Sequence, residues 1–86
     1  MVGERKTIGE VAHFFDRISV AVIKLSANLK EGETIRFEDA QGNGFEQGAS
    51  SMQIDRAVIK EAKKGQSIGL KVEQPVKEGF KVYRVE

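Results

Sequence analysis

A seven-residue phrase occurs three times in the chain and constrains its fold more than any other feature. Each copy runs from an apolar residue through two charged residues to a glycine, then two variable residues and a β-branched residue, at 29–35, 62–68 and 76–82. Because a charged pair resists burial and glycine enters left-handed backbone conformations without steric cost, each copy predicts an exposed turn that leads into a strand. The chain is therefore expected to be a small all-β domain.

The spacing of the copies shows what kind of feature they are. Their glycines, Gly32, Gly65 and Gly79, are 33 and then 14 residues apart. A stacked repeat array needs a constant period. The phrase is therefore one type of turn used three times, and it does not indicate a solenoid.

The remaining pattern predicts about six short strands. Residues 8–15 and 18–25 form a hairpin, residues 41–44 form a glycine-rich hairpin tip after a half-buried strand at 34–38, and Gly48 marks a bulge or a bend. Two further strands follow at 67–72 and 81–85. Residues 55–64 fit either a short helix, capped by Asp55 and stopped by Gly65, or an extended segment. This pattern is typical of a closed or partly open barrel.

Size and composition narrow the class of protein. The 86 residues suffice for one domain, predicted at 8–86 after an N-terminal extension at 1–7. Cysteine is absent, which fits a reducing compartment. The longest apolar run, 20–23, is far too short to span a bilayer, and the charged start lacks the apolar stretch of a signal peptide. A cytoplasmic protein without a membrane partner is expected.

Charge gives a weaker indication of partners. The formal net charge is +1, which is not the broad positive field of a dedicated duplex binder. Residues 1–50 carry six basic and eight acidic side chains (net −2), and residues 51–86 carry eight and five (net +3). The excess in the second part fits either solvated strand faces or a basic patch for RNA or another acidic partner.

No set of residues predicts catalysis or metal binding. His13 is the only histidine; Asp16 lies across a predicted turn from it, and Glu10 is expected on the opposite face of the sheet. The carboxylates alternate with basic residues in turns, as solvated charges do. We therefore expect no enzyme activity, no cofactor and no metal.

Aromatic and basic residues supply the candidate binding set. Most aromatic rings must lie in the core of so small a domain, but Tyr83 and one of Phe14 and Phe15 are expected at the surface, because adjacent strand residues face opposite ways. The candidate nucleic-acid contacts are Lys60, Lys63, Lys64, Lys77, Lys81 and Tyr83.

Several of these motifs resemble the second domain of translational GTPases. The first phrase is similar to that domain's L-K-x-G-D-x-[IV] turn, and residues 51–70 are similar to its S-[ML]-Q-I…G-[IL] stretch. The resemblance is closest to small free-standing members labelled translation elongation factor-like. It implies a Greek-key β-barrel and an extended 55–64 segment. Glu33 and Gln66 stand where the family often has Asp, and Phe80 replaces a polar residue, so the side-chain hydrogen bonds of the turns stay open.

Two functions follow from the resemblance. The first is a non-enzymatic binding module that docks on RNA, the ribosome or a protein of the translation apparatus. No nucleotide is expected, since the chain contains no Gly-x-x-x-x-Gly-Lys-[Ser/Thr] loop. The alternative is an accessory protein-interaction domain, acting in trans as similar barrels do when appended to collagenase-like peptidases.

Overall fold

The computed structural model describes residues 7–85, and within them the chain forms antiparallel strands and no helix. The strands are β1 (Thr7–Phe15), β2 (Val20–Leu25), β3 (Leu29–Lys30), β4 (Thr34–Glu38), β5 (Gly44–Gly48), β6 (Met52–Ile54), β7 (Ala57–Val58), β8 (Glu61–Ala62), β9 (Ser67–Lys71) and β10 (Lys81–Val85). The prediction of a small all-β domain is confirmed. Residues 1–6 of the predicted N-terminal extension lie outside the described residues, and Thr7 begins β1.

Eight strands form one curled sheet in the order β5-β4-β10-β1-β2-β9-β6-β7, and β3 pairs with β8 beside it. Strand alternation places one side chain in two on the inner face, where they form a single core. The fully buried members with the largest side chains are Phe37, Ile8, Ile23, Leu29, Ile35, Met52, Ile68, Leu70, Val11 and Val82. No described helix has the length and apolar character needed to cross a membrane.

Residues 7–85 form ten strands, more than the six predicted. The prediction missed strands that are only two or three residues long, namely β3, β6, β7 and β8. Segments this short show no periodicity. Residues 55–64 are extended, as the resemblance implied, and contain β7 and β8. Asp55 is not a helix cap: Asp55 and Arg56, with φ of 51° and 67°, form the two-residue loop of the β6–β7 hairpin.

The three phrases form three equivalent turns. Gly32, Gly65 and Gly79 have φ of 96°, 92° and 94°, as the third position of a type II turn requires. In each turn the glycine N–H donates to the carbonyl of a buried residue on another strand or loop, and the following residue's carbonyl accepts from that same buried residue. The clamped residues are Ala49, Leu25 and Val11, respectively.

Two of the turns are also capped by a side chain. The carboxylate of Glu33 accepts from the N–H of Lys30 at 2.7 Å, and the amide oxygen of Gln66 accepts from the N–H of Lys63 at 2.8 Å. Glu33 and Gln66 thus form the side-chain hydrogen bonds of these turns, at the positions where the larger family often has Asp. In the third turn Phe80 cannot accept a hydrogen bond and packs against the core instead.

We expect the Gly65→Ala variant to lose about 1 to 2 kcal/mol of unfolding free energy, because an L side chain at a left-handed φ meets its own backbone. A Cβ there would touch nothing within 4 Å, so the loss isolates the backbone conformation. Thermal unfolding measures it, at about 4 to 8 °C per kcal/mol. Gly48→Ala, where φ is not positive and space is also open, is the matched control and should be near neutral. Equal melting temperatures for the two variants would contradict the turn geometry.

Candidate interaction surface

The predicted basic residues are divided between two ends of the sheet. Ser67 of β9, Lys24 of β2, Glu10 of β1 and Lys81 of β10 are successive cross-strand partners and form one row. From this row β9 and β10 run in opposite directions, since β9 is parallel to β1 and β10 is antiparallel to it. The turns that precede β9 and β10 therefore project toward opposite ends.

This topology separates the candidate lysines. Lys63 and Lys64 lie in the turn before β9, with Lys60 just ahead of β8. Lys77 lies in the turn before β10, at the other end. The structure thus brings Lys60, Lys63 and Lys64 to one end of the domain but does not join them to Lys77.

Lys81 and Tyr83 share the outer face of β10 with neutralising partners. Lys81 Nζ donates to Glu10 Oε1 at 2.8 Å. That hydrogen bond, and then the charge of the carboxylate, raise the pKa of Lys81 above its ordinary value of 10.5. Tyr83 is half-buried between Arg36 of β4 and Thr7 of β1. Neither residue is therefore a free contact for an anionic ligand.

His13 lies at the surface with one carboxylate and one aromatic partner. Its Nδ1 is 3.2 Å from Glu78 Oε2, and its ring meets the ring of Phe15 edge to face at a centroid distance of 4.5 Å. Glu78, on the third turn, is a partner that strand periodicity alone does not reveal. Within residues 7–85 no group of three or more His, Asp or Glu side chains is placed to hold a metal ion.

The outer side of the sheet carries an exposed apolar surface near the tip of the β1–β2 hairpin. We call it the outer apolar face, and it consists of Phe15, Val20, Val22 and Val58 of the sheet, together with Ile18 in the turn between β1 and β2. Phe15, Ile18 and Val58 are 47%, 61% and 70% exposed. Exposed apolar side chains that gather on one side of a domain are typical of a surface that contacts a partner.

Strand pairing explains how these residues come to one face. Phe15 pairs with Val20, while Val22 pairs with Gly69, which in turn is beside Gln53 and then Val58. Directly paired residues point to the same side of a sheet. A Cβ at Gly69 would lie 3.3 Å from Val20 Cγ1. The glycine therefore leaves room for the Val20 side chain beside it. The surface between β2 and β6 is consequently shallow.

An open cleft adjoins this face at the end of β1. It has a volume of about 370 Å³ and is lined by Phe14, Val76, Lys77 and Glu78. Val76 is buried and Phe14 packs against the core, so the floor is apolar, whereas the two charged residues form the rim. His13 links the cleft to the outer apolar face, because it contacts Glu78 on one side and Phe15 on the other.

The sequence prediction missed most of this surface. The surface exposure of one residue of the Phe14–Phe15 pair was expected, and it is Phe15. The run 20–23 held a further signal: a strand with apolar residues at every position has an apolar outer face as well as an apolar inner one. Val58 carried no such signal, because its exposure depends on the two-residue strand β7 at the edge of the sheet.

Comparison with known proteins indicates where related domains occur. No protein-family model matches the chain. In sequence it is 40% identical over 76 residues, 88% of its length, to an uncharacterized protease of Methanocaldococcus jannaschii. The chain spans 19% of that protease.

Solved structures of similar fold also come from a peptidase protein. Two crystal structures of the C-terminal domain of a protein of Geobacillus thermoleovorans assigned to the U32 peptidases match with TM-scores of 0.85 and 0.86 at 17% and 14% identity. The matches cover 92% and 94% of this chain and 99% and 93% of theirs. At such identity they establish a shared fold.

These similarities correct the predicted identity and partner. The chain is not identified as a translation elongation factor-like protein, and the predicted RNA, ribosome or translation-apparatus partner is wrong, since the matches are to peptidase proteins. The nucleic-acid role of Lys60, Lys63, Lys64, Lys77, Lys81 and Tyr83 loses its basis with that partner. The alternative prediction, a domain of the kind appended to peptidases, agrees with the matches. The chain is thus similar in sequence to part of a protease and in fold to a domain at the C-terminus of a peptidase.

Proposed function

We propose that the chain is a non-catalytic accessory domain that docks on the body of a U32-type peptidase through the outer apolar face. The observation that carries the proposal is the exposure of Phe15 and Val58 on one side of the sheet and of Ile18 in the adjoining turn. Burial of such residues against a partner is the main source of affinity in a protein interface. The similarity to a peptidase's C-terminal domain supplies the class of partner.

The surface has the composition of a docking site. Phe15, Val20 and Val22 form its apolar part, and Lys71 lies beside Val20 at the border. Gln53 lies within the face, between Gly69 and Val58. An apolar centre with a polar rim is the usual anatomy of a protein interface. A typical contact covers about 800 Å² per partner, a modest part of the 5799 Å² surface of this domain.

Three features support a non-catalytic role. His13, the one histidine, is engaged by Glu78 and Phe15. A catalytic base needs a nucleophile within hydrogen-bond reach as well as a group that orients it. Glu78 could orient the ring of His13, but within residues 7–85 no hydroxyl group forms a hydrogen bond with it. The chain also contains no cysteine to serve as a nucleophile. The proposal includes a cytoplasmic location, where a domain without cysteine relies on packing.

The test is binding of the full 86-residue chain to the purified body of a U32 peptidase from the same organism, measured by calorimetry. We expect Ile18→Asp to weaken binding about tenfold or more, because truncating an apolar anchor costs over about 1 kcal/mol and a charge must also be desolvated. Ile18 is 61% exposed, so the fold should survive the change.

Lys63→Glu is the control. Lys63 lies in the turn before β9, at one end of the domain, and surfaces usually tolerate a charge change of this kind. Its affinity should equal that of the wild type. Wild-type binding that Ile18→Asp leaves intact, or no binding of the wild type at all, would reject the outer apolar face as a docking surface.

A further inference from the structure

The cleft beside the outer apolar face has one charge that no side chain within residues 7–85 neutralises. Glu78 on the rim is paired with His13 at 3.2 Å. The Lys77 ammonium, in contrast, makes no ion pair or side-chain hydrogen bond with any residue in the described range 7–85. A ligand that enters the cleft therefore meets an apolar floor and a single available cation.

The backbone of the adjacent turn narrows the class of anion. A phosphate is usually held by several backbone N–H groups or by several cations. Here the N–H of Gly79 donates to the carbonyl of Val11, and the N–H of Phe80 donates to the carbonyl of Lys77. Both of these amides are used within the fold, and the Lys77 ammonium is the one cation among the described residues that line the cleft, which suits a single carboxylate.

The size of the cleft limits the size of the apolar group that it can bind. A volume of about 370 Å³ is at the lower end of ligand pockets, and this cleft is shallow and largely open to solvent. Such a cleft can accept one large side chain but does not enclose a free metabolite. Phe14 and Val76 would contact that side chain, and Lys77 would reach a carboxylate next to it.

We propose that this cleft binds an apolar side chain followed by an acidic residue, on a segment of the peptidase body. The inference rests on the proposed docking and deepens it by naming the chemistry of the partner. Continuity supports it: His13 joins the cleft to the outer apolar face, so one partner surface can cover both. Charge complementarity between the segment's carboxylate and Lys77 fixes its register.

The experiment is a titration of the isotope-labelled 86-residue chain with three capped peptides, followed by backbone amide NMR shifts. The peptides share one sequence except for a central pair, Phe-Asp, Phe-Lys or Ala-Asp. We expect saturable binding of the Phe-Asp peptide with a Kd below about 1 mM, with shifts centred on Phe14 and Lys77. The other two peptides should bind at least tenfold more weakly.

Charge reversal tests the role of Lys77 itself. We expect Lys77→Glu to weaken binding of the Phe-Asp peptide about tenfold and to favour the Phe-Lys peptide, whereas Lys63→Glu should change neither. Preserved amide spectra in both variants would show that the fold is intact. Equal binding of the three peptides, no binding of the Phe-Asp peptide, or an unchanged preference in Lys77→Glu would overturn the proposal.

The outcomes also separate this proposal from the docking on which it rests. Peptidase-body binding that depends on Ile18, together with no preference among the peptides, would leave the docking in place and reject the cleft. Selective Phe-Asp binding, without affinity for the peptidase body, would keep the ligand chemistry of the cleft and reject the peptidase body as the source of that ligand.

Discussion

Gly44→Ala is expected to destabilise the domain by more than about 4 kcal/mol, the largest single-residue effect that the structure predicts. A Cβ at position 44 would lie 1.7 Å from the carbonyl oxygen of Phe37 and 2.7 Å from its carbonyl carbon. Both atoms belong to the backbone of β4, so no side-chain rotation can relieve the overlap. The β4–β5 hairpin would have to open.

Opening this hairpin would affect the core as well as the edge of the sheet. Phe37 and Phe45 are cross-strand partners whose rings stack at a centroid distance of 5.1 Å, and both are buried. The same hairpin holds its tip through Asp39, whose carboxylate accepts from the N–H groups of Gln41 and Asn43. Displacement at Gly44 therefore disturbs both the aromatic pair and the tip.

Denaturant unfolding followed by circular dichroism measures the effect, and Gly48→Ala in the same strand is the control, because a Cβ there meets nothing within 4 Å. The total stability of a small domain is about 5 to 15 kcal/mol, so the Gly44→Ala chain is expected to lose a large part of it and to unfold at a much lower denaturant concentration. A variant within about 1 kcal/mol of the wild type would show that the close approach of β5 to Phe37 is not present.

The turns were predictable from sequence because their determinants are local. A glycine after two charged residues specifies a left-handed position at the surface, and Gly32, Gly65 and Gly79 all adopt positive φ. The hairpin tip at 41–44 has the same origin, with Gly42 at φ 86°. In such segments the nearest few residues decide the conformation.

The short strands and the division of the lysines were not predictable in this way. β8 exists because tertiary pairing with Leu29–Lys30 holds residues whose own preference is ambiguous, and β7 is the two-residue second arm of the hairpin with β6. Whether Lys63 and Lys77 lie together depends on the relative directions of β9 and β10, which the order of strands in the sheet determines. Neither quantity is encoded in a local pattern.

The same physics explains the wrong identification. A type II turn with a glycine at its third position is a general solution wherever a chain must reverse and enter a strand. When such turns occur in the same order along two chains, they indicate a similar fold, but they do not indicate which partner the fold binds. The candidate surface was hidden for a related reason: the run 20–23 indicated an apolar outer face, yet only the sheet shows that Phe15 and Ile18 extend it.

Gln47→Leu is expected to destabilise the domain by about 2 to 6 kcal/mol, because two backbone groups in a partly buried site would lose their partners at about 1 to 3 kcal/mol each. Gln47 lies on β5, at the edge of the eight-stranded sheet, and its side chain is buried. Its Nε2 donates to the carbonyl of Lys71 at 2.9 Å, and its Oε1 accepts from the N–H of Glu73 at 2.8 Å. The Gln47 side chain thus forms one donor and one acceptor bond with the backbone at 71–73, as an adjacent strand would. It thereby connects β5 to the end of β9.

The matched variant Gln47→Glu separates the two bonds, because a carboxylate can still accept from Glu73 but cannot donate to Lys71. We expect a loss near that of Gln47→Leu at neutral pH, since the new charge is buried beside a carbonyl oxygen. Protonation of the introduced carboxyl restores a donor, so its deficit relative to the wild type should shrink on acidification, whereas that of Gln47→Leu should not. Chemical unfolding of the three proteins across pH measures this difference. A Gln47→Leu variant as stable as the wild type would mean that β5 and the end of β9 are held together by core packing alone.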